Sequence, residues 1–352
     1  MGDRLTQSSY LSAPVMTERT PKRNWRRVTG GMIIGFLVSA SLLIIVLRDI
    51  RWHLLGTSLR HAQPIPILIA AIGFASAYAV VALRWKALVG SDRLRFVTAF
   101  EVLNIGLVCN VILPARGGDM VRVVMLNQRE RIRMSVGLTS VLLEKLFDVA
   151  ALVFLILPAI AIVDLPRWVV LSAMIGVVGV IAGFTFCIIL ARCAWEFGTI
   201  PLITRLPARI HLRIVSFLTS FRDGLRALFT WKRMLMVCFL SLLVWAINCI
   251  AAYLVFSGLH ITGISFGATF VVIGIMNLGL IIPSSPGNVG TYEFLGVSAL
   301  ALFHVTRESA LEFALVVHML TLLIVLILGI ASMARLGYSL MTVPRNTAEA
   351  TA

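Results

Sequence analysis

Long uncharged apolar runs alternate along this chain with short polar segments rich in arginine, and run length sorts them. A bilayer's hydrocarbon is crossed by a helix of about 20 apolar residues. Six stretches meet that length: Val28–Leu47, Ala62–Leu83, Gly137–Val163, Trp168–Ala191, Met234–Phe256 and Phe313–Ala334. The third carries Glu144, Lys145 and Asp148 in its first half before an uncharged run. Two shorter apolar stretches, Val97–Pro114 and Phe266–Pro283, each end on a proline and are followed by glycines. The pattern predicts an all-α, polytopic integral membrane protein.

Composition agrees, with 59% hydrophobic and only 13% charged residues in 352. An ordinary soluble domain has about a quarter of its residues charged. The net charge of +15 fits membrane topology and anionic lipid rather than nucleic acid, which is not expected as a partner. Cys109, Cys187, Cys193, Cys238 and Cys249 form no C-x-x-C pair, and the six histidines are scattered. No metal site or cofactor is therefore expected. His318, on an apolar run, reads as a packing or hydrogen-bonding residue.

Basic residues decide how the two short stretches sit, because short cytoplasmic loops collect Lys and Arg. If both stretches enter the membrane and return on the same side, about six full spans and two re-entrant elements remain, with both termini cytoplasmic. The cytoplasmic segments then hold six Lys and Arg in 1–28, four in 84–98, five in 115–134, eight in 191–233 and two in 334–352. Outside lie Arg48, Arg51, Arg60, Arg167 and Arg307, with Lys145 within a helix. Residues 1–27 read as a disordered basic tail, 28–336 as the transmembrane domain and 337–352 as a second tail. The re-entrant motifs fall near 97–134 and 266–304. Segment 191–233, including "RIHLRIVSFLTSFRDGLRALF", reads as a basic amphipathic helix on the membrane surface.

A shift of 169 residues lays "AFEVLNIGLVCNVILPARGGDMV" (99–121) over "ATFVVIGIMNLGLIIPSSPGNVG" (268–290) without a gap. Pro114 meets Pro283, Gly118 meets Gly287, and Asp119 meets Asn288. Three expected spans separate the copies, so they would enter from opposite faces as an inverted repeat, a plan found in many secondary transporters. Proline ends a helix, glycine lets the backbone turn, and Asp or Asn favours the N-cap of the helix that follows. The turn residues are Pro114, Gly117, Gly118, Pro283, Pro286, Gly287, Asn288 and Gly290. Each motif thus predicts helix, break, helix. Such backbone at membrane depth needs shielding by protein or a watery cavity.

The first motif has the makings of an anion site. A helix opening beside Asp119 presents free N–H groups, and Arg116 and Arg122 flank it at three residues on either side. An interfacial turn whose arginines reach for lipid headgroups is the alternative. Glu144 and Asp148 share a helix face with Lys145 adjacent. A charge near mid-membrane costs roughly 2.5–3.5 kcal/mol on insertion scales, so these groups should face inward and pair, with Arg116 or Arg122 as partners. Glu293, in "GTYEF", is placed for a matching role in the second motif. Structural salt bridges between helices would explain the same carboxylates.

"LPARGGDMVR", "VLLEKLFD" and "PSSPGNVGTYE" together resemble the lysylphosphatidylglycerol synthase transmembrane-region family, also called the flippase-like domain family. It is related to the flippase domain of the bacterial multiple peptide resistance factor. The resemblance covers about residues 28–336. It implies a protein of the bacterial inner membrane that moves or handles lipids, with Arg116, Asp119, Arg122, Glu144, Lys145, Asp148 and Glu293 as its conspicuous charges. Asn288 departs from the resemblance, which has a second glycine there. Eighteen residues follow Ala334, and the resistance factor's aminoacyl-transferase domain is not expected.

The leading functional expectation is a lipid transporter that holds an anionic, phosphate-bearing headgroup between two broken helices. The alternatives are a membrane-embedded transferase using a lipid phosphate, and an accessory membrane subunit of a lipid- or glycan-modifying enzyme. An enzyme would need a general base and usually a metal or nucleotide site, and no D-x-D pair or P-loop is present. Expected partners are a membrane phospholipid or other anionic lipid, with self-association or a lipid-modifying enzyme left open.

Overall fold

The computed structural model describes residues 37, 39–48, 60–113, 117–162, 165–192, 207–228, 230–279 and 285–337. All regular structure among them is helical. A helical stretch over 39–47 precedes α1 (Pro64–Val89), α2 (Phe96–Ile112), α3 (Gly117–Glu130), α4 (Met134–Ile162) and α5 (Arg167–Arg192). Then follow α6 (Ala208–Leu228), α7 (Trp231–Gly258), α8 (Phe266–Gly279), α9 (Thr291–Ala301) and α10 (Arg307–Leu336). Among the described residues four helices, α1, α5, α7 and α10, are both long and apolar enough to cross a membrane. Their outward faces carry Ile65, Ile72, Ile175, Val178, Phe239 and Ile327, all more than half exposed. So much apolar surface suits lipid rather than water.

The helix ends follow local chemistry. Pro64 opens α1, where its missing N–H costs nothing, and Gly90 closes it in the left-handed conformation (φ 67°). This carries α1 six residues past the expected end at Leu83, and brings Arg84, Trp85 and Lys86 onto the helix. Thr306 caps α10, its hydroxyl accepting from Ser309 N–H, so that helix starts at Arg307 rather than Phe313. Half of the expected first span, Val28–Leu47, lies outside the described residues. Within the expected amphipathic segment, 193–206 is likewise outside them. Its helix is α6, which docks by Phe221 and Leu225 against Leu143 and Phe147 of α4.

The 169-residue shift extends far beyond the two motifs. It lays α1 over α7, α2 over α8, the α3 region over 286–299, and most of α4 over α10. Packing repeats in the same way: α1 lies against α7, α2 against α10, and α8 against α4. The equivalent helices α1 and α7 are antiparallel. A Cβ built on Gly73 would lie 3.2 Å from Ala251 Cβ, one on Gly258 would meet Ile67 and the Gln63 carbonyl, and one on Gly90 would meet Arg233. Sequence-equivalent helices running in opposite directions are what an inverted repeat requires. Two of its cores are built differently: α7 to α10 meet around the stacked Phe256–Phe313 pair (centroids 3.9 Å apart), whereas α1, α2 and α3 close around Leu94, Leu103 and Leu126.

Candidate functional site

The first break joins α2 to α3, which fold back on one another. Gly118 lies against the Gly106 carbonyl, and a Cβ there would come within 2.6 Å of Asn110 N. Pro114 and Arg116 lie outside the described residues; Gly117 and Gly118 begin α3. Asp119 therefore stands in the first turn and does not cap the helix, as the sequence had suggested. Its N–H instead donates to Asn110 Oδ1 (3.2 Å), while Asn110 Nδ2 donates to its carboxylate (3.1 Å). The amide across the break does the capping, which leaves the carboxylate for ion pairs.

Those pairs form a ladder. Arg122 donates from Nη2 to Asp119 Oδ1 and from Nη1 to Glu144 Oε2, both at 3.1 Å. Lys145 Nζ lies 3.7 Å from Asp119 and 3.9 Å from Glu144. One helical turn on, Asp148 accepts from Arg84 Nη1 (2.6 Å) and Trp245 Nε1 (3.3 Å). Arg84 Nη1 also reaches Ser241 Oγ (3.2 Å), and the Trp85 ring lies under the Arg122 guanidinium at 5.2 Å. Three cations thus face three carboxylates. Glu144 is the eleventh residue of α4, about 15 Å along its axis at 1.5 Å per residue. Burial is graded across the ladder: Arg84 and Arg122 are 1% exposed, Asp119 and Asp148 about a fifth, and Lys145 42%. The Nε–H groups of both arginines have no hydrogen-bond partner among the described residues.

The second break is built from different chemistry. Pro283 lies outside the described residues. Pro286, Gly287 and Asn288 form a single 3-10 turn in which Gly287 (φ 70°) and Asn288 (φ 58°) are left-handed, followed by Gly290 at φ 88°. Asn tolerates that conformation better than most side chains, which explains how it stands where the resemblance has a glycine. Asn288 does not cap α9 either; Gly290 does, its N–H donating to Glu293 Oε2 at 2.6 Å. Ser39 Oγ accepts from Ser285 N–H (2.8 Å) and bonds the Thr291 hydroxyl (3.1 Å), tying the 39–47 helix to the turn. Glu293 meets His318 of α10 at 2.6 Å rather than an arginine.

The geometry thus gathers Asp119, Arg122, Glu144, Lys145 and Asp148, and sets Glu293 apart from them. Arg84 and Asn110 are the participants that sequence reasoning missed, while His318, read as a packing or hydrogen-bonding residue, turns out to pair with Glu293. Arg84 falls just beyond the apolar run that ends at Leu83, although "KALV" before Gly90 signals that the helix continues past it. Among the described residues no group of three or more His, Cys, Asp or Glu side chains is placed to hold a metal ion. A separate open groove, lined by Asn127, Arg133, Ser135, Leu212, Ser216 and Phe217, lies where the α3–α4 junction meets α6, away from both breaks.

Residues 32–329 match the family described as the lysylphosphatidylglycerol synthase TM region. The chain belongs to that family. It is 23% identical over 337 residues to a UPF0104 membrane protein of Methanothermobacter thermautotrophicus, covering 88% of this chain and 95% of that one. It is 24% identical to the glycosyltransferase AglD of Haloferax volcanii, over 92% of this chain. It spans only 57% of AglD's length. A UPF0104 membrane protein of Methanocaldococcus jannaschii is 22% identical over 67% of this chain and 97% of its own. No solved structure matches the chain. Family and apolar helices together establish a multi-pass, all-α, lipid-related membrane protein.

Proposed function

We propose that this member of the lysylphosphatidylglycerol synthase TM region family is a transporter for lipids with an anionic, phosphate-bearing headgroup, working in the cell inner membrane with both termini in the cytoplasm. The headgroup enters at the Lys145 edge of the polar ladder, the two breaks are re-entrant elements, and the acyl chains stay in lipid. The observation that carries this is the graded burial of the ladder. Two guanidinium groups whose Nε–H donors have no partner among the described residues are sealed behind a half-exposed ammonium, inside an otherwise apolar helical bundle. A ladder serving only as a structural clasp has no need of an open cationic edge.

Lys145→Gln tests this with little risk to the fold, since long-range, half-exposed ion pairs contribute about 0–1 kcal/mol. In liposomes holding a fluorescent anionic phospholipid, the wild type should speed exchange between leaflets and Lys145→Gln should slow it severalfold at unchanged thermal stability. Equal exchange by both proteins would refute the headgroup assignment.

AglD supports a second reading. Its similarity spans nearly the whole of this chain, yet the chain spans little more than half of AglD. A glycosyltransferase among the relatives suits a membrane unit that presents lipid-phosphate to a glycan- or lipid-modifying enzyme. A well-folded preparation that exchanges no lipid, but co-purifies with such an enzyme, would favour it.

A further inference from the structure

The Glu293–His318 pair holds one more hydrogen bond than its ordinary protons can make. His318 Nε2 lies 2.9 Å from the Gly287 carbonyl oxygen, which has no proton to offer, so Nε2–H must donate. A neutral imidazole protonated there has a bare Nδ1. Yet Nδ1 lies 2.6 Å from Glu293 Oε1, and an ionised carboxylate has no proton to give either. Lone pairs of two atoms that close repel, so a proton stands between them. The pair is either imidazolium with carboxylate or imidazole with carboxylic acid, net neutral in both forms. Residue exposures of 1% for Glu293 and 3% for His318 favour neutrality, because an unpaired charge buried there would be costly.

The proton joins three pieces of chain. Glu293 opens α9, where its Oε2 also accepts the Gly290 N–H; His318 belongs to α10; and Gly287 lies in the left-handed turn before α9. Once the shared proton leaves, the imidazole keeps a single N–H for two oxygens. It can hold the Gly287 carbonyl or the Glu293 carboxylate, but not both. Loss of the proton therefore detaches α10 either from the turn or from α9, and leaves a buried negative charge that drives the detachment.

We infer that Glu293 and His318 form a binding site for one exchangeable proton, and that its occupancy sets the geometry of the second break. The neighbourhood leaves the proton few competitors. Tyr292 stacks on the imidazole (centroids 4.5 Å), Tyr78 of α1 interacts with Tyr292, and Glu312 lies earlier on α10. The buried charges on two helices packed against α10 are committed elsewhere, Glu101 of α2 to Arg335 and Arg84 of α1 to Asp148, while Lys86 of α1 and Lys232 and Arg233 of α7 stand in the end turns of their helices. The 169-residue shift places Val124 and Val149 at the equivalent positions of the first copy, and Phe313 and Val317 opposite Glu144 and Asp148. Each half of the repeat thus carries its own polar device, an ion ladder in one and a proton site in the other. Resting on the transport reading, the proton is the ion that drives or gates the moving lipid.

The test has two arms on the full chain in liposomes. Histidine nitrogen NMR, with His318→Asn to assign the signal, and infrared spectroscopy, with Glu293→Gln to assign the carboxyl, report where the proton is. At neutral pH the expected result is either a doubly protonated His318 ring or an undissociated Glu293 carboxyl, with that signal lost in one step as pH rises. A neutral ring beside an ionised carboxylate at neutral pH would overturn the site. Glu293→Gln suits the comparison because its amide can serve both neighbours, donating to Nδ1 and accepting from Gly290 N–H, without an acidic proton to lose. In the second arm an imposed pH difference should change lipid exchange by the wild type and not by Glu293→Gln. Exchange indifferent to pH, with the proton signal intact, overturns the coupling. An intact proton signal without exchange of any lipid leaves the site standing and removes the transport reading instead.

Discussion

Replacing Arg122 with alanine is expected to destabilise the folded protein by about 3–5 kcal/mol, the usual cost of stripping one partner from a buried ion pair. Its guanidinium is the shared partner of Asp119 and Glu144, both held by 3.1 Å bonds, and it is 1% exposed. Removal leaves a 6%-exposed Glu144 carboxylate with Lys145, at 3.9 Å, as its remaining close cation among the described residues. Thermal unfolding of the purified protein in detergent measures the loss. Adding Asp119→Asn and Glu144→Gln should recover most of it, because the penalty lies in the uncompensated charges. Arg122→Lys should recover little, since one ammonium cannot copy the guanidinium fork that spans two carboxylates. An Arg122→Ala protein of wild-type stability would mean that the ladder is not holding the fold.

The second large effect is expected at Gly118→Ala. The new methyl would be driven into the Gly106 carbonyl and to 2.6 Å and 2.8 Å from Asn110 N and Oδ1. The nearest obstacles are backbone atoms, which cannot turn aside as a flexible side chain could. α2 and α3 would have to separate, and because Arg122 lies over Gly106 in the same contact, the ladder would shift with them. Overpacking typically costs about 1–3 kcal/mol, and Gly118→Ala should fall at or above the top of that range, with lipid exchange lost as well. Gly179→Ala on α5, where a Cβ meets nothing within 4 Å, is the control and should leave both unchanged. If the two variants unfold alike, the close approach of α2 and α3 is not what holds the first break.

The residues of the first motif show how far sequence reasoning reached. Glu144 and Asp148 were legible as an inward-facing pair because charges in an apolar helix have few alternatives to pairing; the pattern left Arg116 and Arg122 open as partners, and Arg122 is the one seen to meet Glu144 among the described residues. Asp148's partner was not legible. Arg84 lies 64 residues away, and nothing local announces which buried cation a carboxylate meets. Asn110 was hidden for a related reason: an amide in an apolar run reads as a tolerated polar residue until the break folds it against Asp119. In the second motif, Glu293 was expected to mirror the first copy, but the repeat preserves helices and turns rather than side chains. His318 was read as a buried hydrogen-bonding residue, which it is, while its partners come from two other segments.

What the sequence determined by itself is whatever depends on residues near one another in the chain. Apolar runs of helical length, Pro and Gly at the breaks, and the 169-residue self-similarity dictate an all-α membrane protein built twice over, because backbone hydrogen bonds in lipid must close within each helix. Tertiary structure alone decided which polar groups meet. Arg84 reaches Asp148, Asn110 caps across a break, and His318 lies between Glu293 and the Gly287 carbonyl because α1, α4, α9 and α10 pack as they do. Pairing energies depend on distance and burial, and neither quantity is written in the local pattern of apolar and polar positions.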